Sequence, residues 1–309
     1  MSQTLAFVFP GQGSQQLGML SELASANPII EQTFAEASEA LGFDLWAMCQ
    51  DGPEESLNST ENTQPALLTA GVALWRLWQV QGGAAPVVMS GHSLGEYTAL
   101  VCAGAMSLAD GVKLVKLRGE AMQAAVPAGT GAMAAILGLA DDAIEAACEE
   151  AAEGAVVSPV NYNCPGQVVI AGEKAAVERG IEACKAAGAK RAVPLPVSVP
   201  SHCALMQPAA ERLEAALADI ELSMPAIPVV QNVSAEQAAD LATLKQNLVA
   251  QLYSPVLWTR CVQQMAGKGV DTLIECGPGK VLTGLNKKID RSLTGISISE
   301  PAGLEKALS

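Results

Sequence analysis

The sequence predicts an α/β fold, with a central, mostly parallel sheet covered by helices and a small ferredoxin-like subdomain inserted into it. Three observations carry this. Short apolar runs at 5–9, 86–90 and 272–276 have the length and composition of strands buried on both faces. Helical stretches alternate with them, the order that builds a parallel sheet. Residues 128–198 read as strand, helix, strand, strand, helix, strand, the ferredoxin-like βαββαβ pattern. The large domain is therefore assigned residues 1–127 and 199–309, and the small subdomain 128–198.

Taken in order, residues 5–9 form a buried strand, and Pro10-Gly11-Gln12-Gly13 turns the chain out of it. Helical periodicity follows at 29–41 and 66–81, the second rich in Leu and Trp and ended by Gly82-Gly83. A strand at 86–90, a turn at 91–95 and a helix at 96–103 come next, then a helix over 109–123. In the inserted segment, a strand at 131–139 precedes a helix at 141–152, for which Asp141 or Asp142 is a natural N-cap. Strands at 156–160 and 167–171 flank the turn-rich "NYNCPG". A helix at 174–187 stops at Gly188. The run 189–197 is extended, and Pro194 and Pro196 suit an edge strand or exit linker. The large domain resumes with a helix at 204–218, a strand at 227–233, a helix at 241–252, a strand at 272–276, and Gly277-Pro278-Gly279 turning into a last helix.

Composition narrows the function classes. The chain has 309 residues, half of them hydrophobic and only 16% charged, so it buries a large core and is not intrinsically disordered. The formal net charge of −14 argues against nucleic acid and anionic membrane as partners. None of the eight cysteines forms a C-x-x-C pair, and they lie in apolar surroundings, as reduced core residues of a cytoplasmic protein do. The N-terminus lacks a cationic start and a long apolar run, so no secretory signal is expected, and no stretch has the length of a membrane helix.

Gly91-x-Ser93-x-Gly95 sits between a predicted strand and a predicted helix. A sharp strand-to-helix turn strains the central residue, needs small neighbours, and exposes the hydroxyl at the sheet's carboxyl edge beside a helix N-terminus. The pattern suits a nucleophile in an α/β-hydrolase-like domain; the bland alternative is a glycine-rich turn with a solvated serine. A serine nucleophile needs a base. The chain holds two histidines, His92 and His202. In a tight elbow the side chain of His92 points away from Ser93, so elimination selects His202. No acidic third member stands out between them, and a backbone carbonyl could orient the imidazole instead.

Arg118 raises a second question. On a helix its neighbours at i−4, i−3, i+3 and i+4 are Leu114, Val115, Ala121 and Met122, all apolar. A buried guanidinium without a counter-charge is costly. Either it snorkels to solvent or pairs with a structural carboxylate, or its partner is the carboxylate of a dicarboxylic half-acid held in the acyl pocket.

Seven stretches in order, "FPGQGSQ" (9–15), "TQPALLTA" (63–70), "GHSLGEY" (91–97), "KLRGEAM" (116–122), "SVPSHCALM" (198–206), "QLYSPVLW" (251–258) and "ECGPGKVLTGL" (275–285), resemble bacterial malonyl-CoA:acyl carrier protein transacylases of type II fatty-acid synthesis over essentially the whole chain. The resemblance implies ping-pong transfer of a malonyl group through an ester on Ser93. It implies His202 as base, oriented by the backbone carbonyl of Gln251, and an oxyanion hole from the N–H groups of Leu94 and Gln12. Arg118 would bind the malonyl carboxylate, Gln64 and Met122 would line the pocket, and Asn163 and Gln167 would meet CoA. The implied partners are malonyl-CoA and acyl carrier protein, with no metal and no resident cofactor, in a monomeric cytoplasmic enzyme. Lys190, Arg191, Lys287, Lys288 and Arg291 are candidates for docking an acidic carrier, against the alternative of ordinary solvated charges. The rival readings are a serine esterase or thioesterase, which passes the acyl group to water, and a binding module, which forms no ester on Ser93.

Overall fold

The computed structural model describes residues 3–197 and 199–309. The domain boundary expected at residue 198 lies outside the described residues. In chain order the elements are β1 (Leu5–Phe9), α1 (Ser21–Ala26), α2 (Ile29–Leu41), α3 (Leu45–Asp51), α4 (Glu54–Asn58), α5 (Thr60–Val80), β2 (Val88–Gly91), α6 (Leu94–Cys102) and α7 (Leu108–Ala124). There follow β3 (Gly131–Leu137), α8 (Asp141–Ala152), β4 (Val157–Cys164), β5 (Gln167–Glu173), α9 (Lys174–Ala186) and β6 (Arg191–Pro194). The chain then runs through α10 (Gln207–Ala218), β7 (Val229–Val230), α11 (Leu241–Gln251), α12 (Trp258–Gly267), β8 (Thr272–Glu275), α13 (Val281–Ile289), β9 (Thr294–Ser297) and α14 (Pro301–Leu308).

Among the described residues there are two sheets. The larger has the order β7-β2-β1-β8-β9 and is parallel at every pairing. Its central strands are buried on both faces, which is why β1 reads as the unbroken apolar run LAFVF. The smaller has the order β4-β5-β3-β6, antiparallel throughout, with α8 and α9 packed on it around Ile136, Ile144, Ile170 and Ile181. It joins the large domain partly through the backbone: Tyr162 N donates to Val256 O at 3.0 Å, and Val256 N to Val160 O at 2.9 Å.

Several boundaries differ from the sequence reading, each for a local reason. Helix α5 starts at Thr60, six residues early, and carries Pro65 inside it. The "NYNCPG" loop is mostly strand: β4 continues to Cys164 through two register shifts, leaving Pro165-Gly166 to make the turn. Of the extended run 189–197, only Arg191–Pro194 pairs. The helix read as 204–218 begins with a 3-10 turn, Ala204–Met206. The strand read as 227–233 shrinks to Val229–Val230, because Asn232 leaves the sheet to bond the turn after β2. Helix α13 is not the last element, since β9 and α14 follow. The short helices α1, α3 and α4, and the amphipathic α12, were also not anticipated. No described helix is long and apolar enough to cross a membrane.

Candidate active site

The two central strands deliver the site. β1 ends at Phe9 and β2 at Gly91, paired side by side, so the turns that follow them lie together at the carboxyl edge of the sheet. Ser93 occupies the second turn with φ 53° and ψ −110°, a strained conformation held from both sides. Gly91 and Gly95 face each other across it, and a methyl group on Gly95 would overlap the Phe9 carbonyl. Asn232 fastens the loop: Ser93 N donates to its Oδ1 at 2.7 Å, and its Nδ2 donates to Gly91 O at 2.7 Å.

His202 is 3% exposed and places Nε2 2.8 Å from Ser93 Oγ. Its Nδ1 lies 2.7 Å from the carbonyl oxygen of Gln251. A carbonyl only accepts, so Nδ1 carries the proton and Nε2 is left bare as the acceptor for the serine hydroxyl. The orienting carbonyl thus stands where an acidic residue was missing from the sequence. Burial, and then the Arg118 charge, push the imidazole down to about 3, with the Gln251 bond opposing. His92 turns away: its Nε2 lies 2.7 Å from Asn163 Oδ1, and its ring is 5.6 Å from that of Trp258.

Arg118 neither snorkels nor pairs with a carboxylate directly. It is 1% exposed, on the buried face of α7. Nη1 donates to Gln64 Oε1 at 2.8 Å; Nη2 donates to Gln251 Oε1 at 3.0 Å and to Ser93 Oγ at 3.2 Å. Its guanidinium lies 5.2 Å from the Tyr97 ring centre. Nε is buried with no partner among the described residues. All of its hydrogen-bond partners are neutral, which leaves the cation suited to an incoming anion.

These groups open on a cavity of about 440 Å³ between the two sheets, lined by Gln12, Ser93, Leu94, Arg118, Met122, Asn163, Gln167 and His202 among others. The N–H groups of Gln12 and Leu94 have no acceptor among the described residues. Gln64 and Gln251 do not reach the cavity surface; both are buried behind Arg118 and hold it. Asn163 is engaged by His92, and Gln167 Oε1 accepts from Lys288 Nζ at 3.4 Å. Lys287 and Lys288 are exposed at the end of α13, whose first turn lines the cavity, and Lys190, Arg191 and Arg291 are exposed too.

Two residues escaped the sequence reading. Glu96, fully buried in the first turn of α6, accepts from Gln231 Nε2, Asn232 N and Gln251 Nε2. Burial pushes its carboxyl up to about 7 against those bonds and the Arg118 charge. The test that singled out Arg118, a charge with apolar helical neighbours, also selects Glu96, since Ala99 and Leu100 follow at i+3 and i+4. Asn232 carried no local signal, because its partners are more than 130 residues away in sequence.

The arrangement is a serine with a neutral base, two free N–H donors and a buried cation facing one cavity, a set able to take up and stabilise an acyl ester bearing a negative charge. Comparison with known proteins agrees. A family model described as an acyl transferase domain matches residues 6–305. A malonyl CoA-acyl carrier protein transacylase of Salmonella typhimurium is 64% identical over 304 residues, 98% of each chain. The crystal structure of an acyl carrier protein S-malonyltransferase from Vibrio cholerae is 60% identical with a TM-score of 0.97, over 98% of this chain and 99% of that one. A malonyl-transacylase in complex with its type II PKS acyl-carrier protein is 58% identical with a TM-score of 0.98, over 99% of both chains. The chain belongs to the acyl transferase domain family and, within it, to the malonyl CoA-acyl carrier protein transacylases.

Proposed function

We propose that this chain moves a malonyl group from malonyl-CoA to the phosphopantetheine thiol of acyl carrier protein, by a ping-pong route through an ester on Ser93. The observation that carries the reading is the meeting of Ser93 Oγ with both His202 Nε2, at 2.8 Å, and Arg118 Nη2, at 3.2 Å. Ser93 Oγ gives its proton to His202 and attacks the thioester carbonyl carbon. The negative oxygen that forms is met by the N–H groups of Leu94 and Gln12, fixed dipoles that need no reorganisation. As the carbonyl reforms, the C–S bond breaks and His202 returns the proton to the departing CoA sulfur. The carrier thiol then gives its proton to His202, attacks the ester, and releases Ser93 Oγ, which takes the proton back. Arg118 holds the malonyl carboxylate through both halves, and Met122 packs the acyl pocket. Asn163 and Gln167 line the cavity on its small-subdomain side, and on this reading they meet the CoA arm.

The carrier as acceptor is supported by the related transacylase solved with its acyl-carrier protein. The chemistry assigned to these residues calls for no metal and no resident cofactor. The same reading has the enzyme acting as a cytoplasmic monomer. Intact-protein mass after mixing with malonyl-CoA tests it: the wild type gains one malonyl group and loses it on adding holo carrier protein, while Ser93→Ala gains none. An adduct that water removes as fast as the carrier does would favour a thioesterase.

A further inference from the structure

No step assigned above uses Glu96, although it is fully buried three residues after the nucleophile. Its carboxyl accepts from three donors and donates to none: Gln231 Nε2 at 3.0 Å on Oε1, and Asn232 N at 2.8 Å with Gln251 Nε2 at 2.9 Å on Oε2. That donor set suits a carboxylate.

The amide of Gln251 has two ends with opposite duties. Its Nε2 faces three acceptors: Glu96 Oε2, Ser93 O at 3.1 Å and Asn232 Oδ1 at 3.3 Å. Its Oε1 is thereby left to accept from Arg118 Nη2 at 3.0 Å. Turned over, the amide would present N–H groups to a guanidinium that has only N–H groups to offer. Of the three acceptors, the carboxylate makes the strongest bond and so decides which way the amide faces. The nitrogen it fixes, Arg118 Nη2, is the one beside Ser93 Oγ.

We infer that Glu96 is a positioning residue: it holds the Gln251 amide with its oxygen toward Arg118, and so aims the guanidinium at the carboxylate of an acyl group on Ser93. The inference rests on the malonyl-transfer reading above. A charge effect opposes it, because losing a negative charge would leave Arg118 more attractive to any anion. By hydrogen bonds Glu96 reaches Arg118 only through Gln251, however, and the three N–H dipoles pointed at the carboxylate weaken the direct attraction between the two charges, so orientation outweighs charge.

The test is a double-mutant cycle in the full chain, using Glu96→Gln, Gln251→Leu and the pair, with kcat/KM measured for malonyl-CoA and acetyl-CoA and holo carrier protein as acceptor. Glu96→Gln replaces a charge-assisted bond with a neutral one, and lowers the malonyl-to-acetyl ratio about fivefold. Gln251→Leu lowers it at least as far, and the pair stays within about twofold of Gln251→Leu, because both changes break one link. A general loss of structure would lower both substrates together. A ratio unchanged or raised in Glu96→Gln, or factors that multiply in the pair, would overturn the inference. If Glu96→Gln does not fold, Glu96→Asp keeps the charge but retracts it from Gln251; a folded Glu96→Asp with the wild-type ratio overturns it equally. Wild-type protein that malonyl-CoA fails to acylate would instead refute the transfer reading.

Discussion

His202 Nε2 stands 2.8 Å from Ser93 Oγ across 109 residues of sequence, and the Gln251 carbonyl, 2.7 Å from Nδ1, keeps the ring proton on Nδ1 and leaves Nε2 bare. The base works only when neutral. Burial and the Arg118 charge hold it at about 3, below its ordinary 6.5, so it stays neutral well below the usual histidine range. Modification of Ser93 by a neutral sulfonyl fluoride, which has no titrating group of its own, is therefore expected to keep its rate from pH 8 down to about pH 5, with the acid limb displaced toward 3. A midpoint near 6.5 in the pH profile would contradict the buried, carbonyl-held imidazole.

On the proposed reading, Arg118 selects for a charged acyl group. Its partners Gln64, Gln251 and Ser93 are all neutral, and Nε has none among the described residues. Arg118→Ala should cost malonyl transfer about 10²-fold or more in kcat/KM, the scale of one buried charge pair. Acetyl transfer, which has no carboxylate to lose, should fall much less. Parallel assays with the two thioesters decide the matter, since equal losses would mean that the arginine only supports the fold.

The parts of this site legible in the sequence were those written in contiguous residues. The elbow shows because a strand, two close-packed glycines and a helix start are neighbours along the chain, and Arg118 shows because its apolar surroundings recur at helical spacing. Both parallel and antiparallel sheets were readable from apolar runs and turn residues. What stayed hidden depends on distant pairings. The orienting carbonyl of Gln251 is a backbone atom with no residue type to betray it, and only the family resemblance pointed to it. Strand β7 is shorter than the run read at 227–233, because Gln231 and Asn232 are drawn off to Glu96 and the elbow. The edge strand β9 and helix α14 were missed because TGIS is short and only half apolar.

Asn232 tests how the strain at Ser93 is held. Its side chain joins the two sides of the elbow, accepting from Ser93 N and donating to Gly91 O, both at 2.7 Å. Asn232→Ala leaves two backbone groups without partners, at about 1–3 kcal/mol each. Denaturant unfolding should show a loss of about 2–4 kcal/mol. The freed turn lets Ser93 relax from φ 53°, so acylation by malonyl-CoA should slow by more than about tenfold even where the protein remains folded. Unchanged acylation in a destabilised variant would show that Gly91 and Gly95 hold the turn unaided.

Docking of the carrier is a question of local charge on an acidic protein. The formal net charge of −14 repels an acidic partner at long range, so encounter needs a basic area near the cavity mouth. Lys287 and Lys288 fit that requirement better than Lys190, Arg191 or Arg291. They end helix α13, whose residues Val281, Leu282 and Leu285 line the cavity, and Lys288 Nζ reaches Gln167 on the opposite wall at 3.4 Å. Reversing both to Glu is expected to raise KM for carrier protein about tenfold at low ionic strength, and by less than about threefold near 0.5 M salt, where such charges are screened. The rate of Ser93 modification by a neutral reagent should not change, because neither lysine contacts Ser93, His202 or Arg118. A KM for carrier protein that ignores the double reversal at low salt would move the docking surface to the Lys190 and Arg191 side of the mouth.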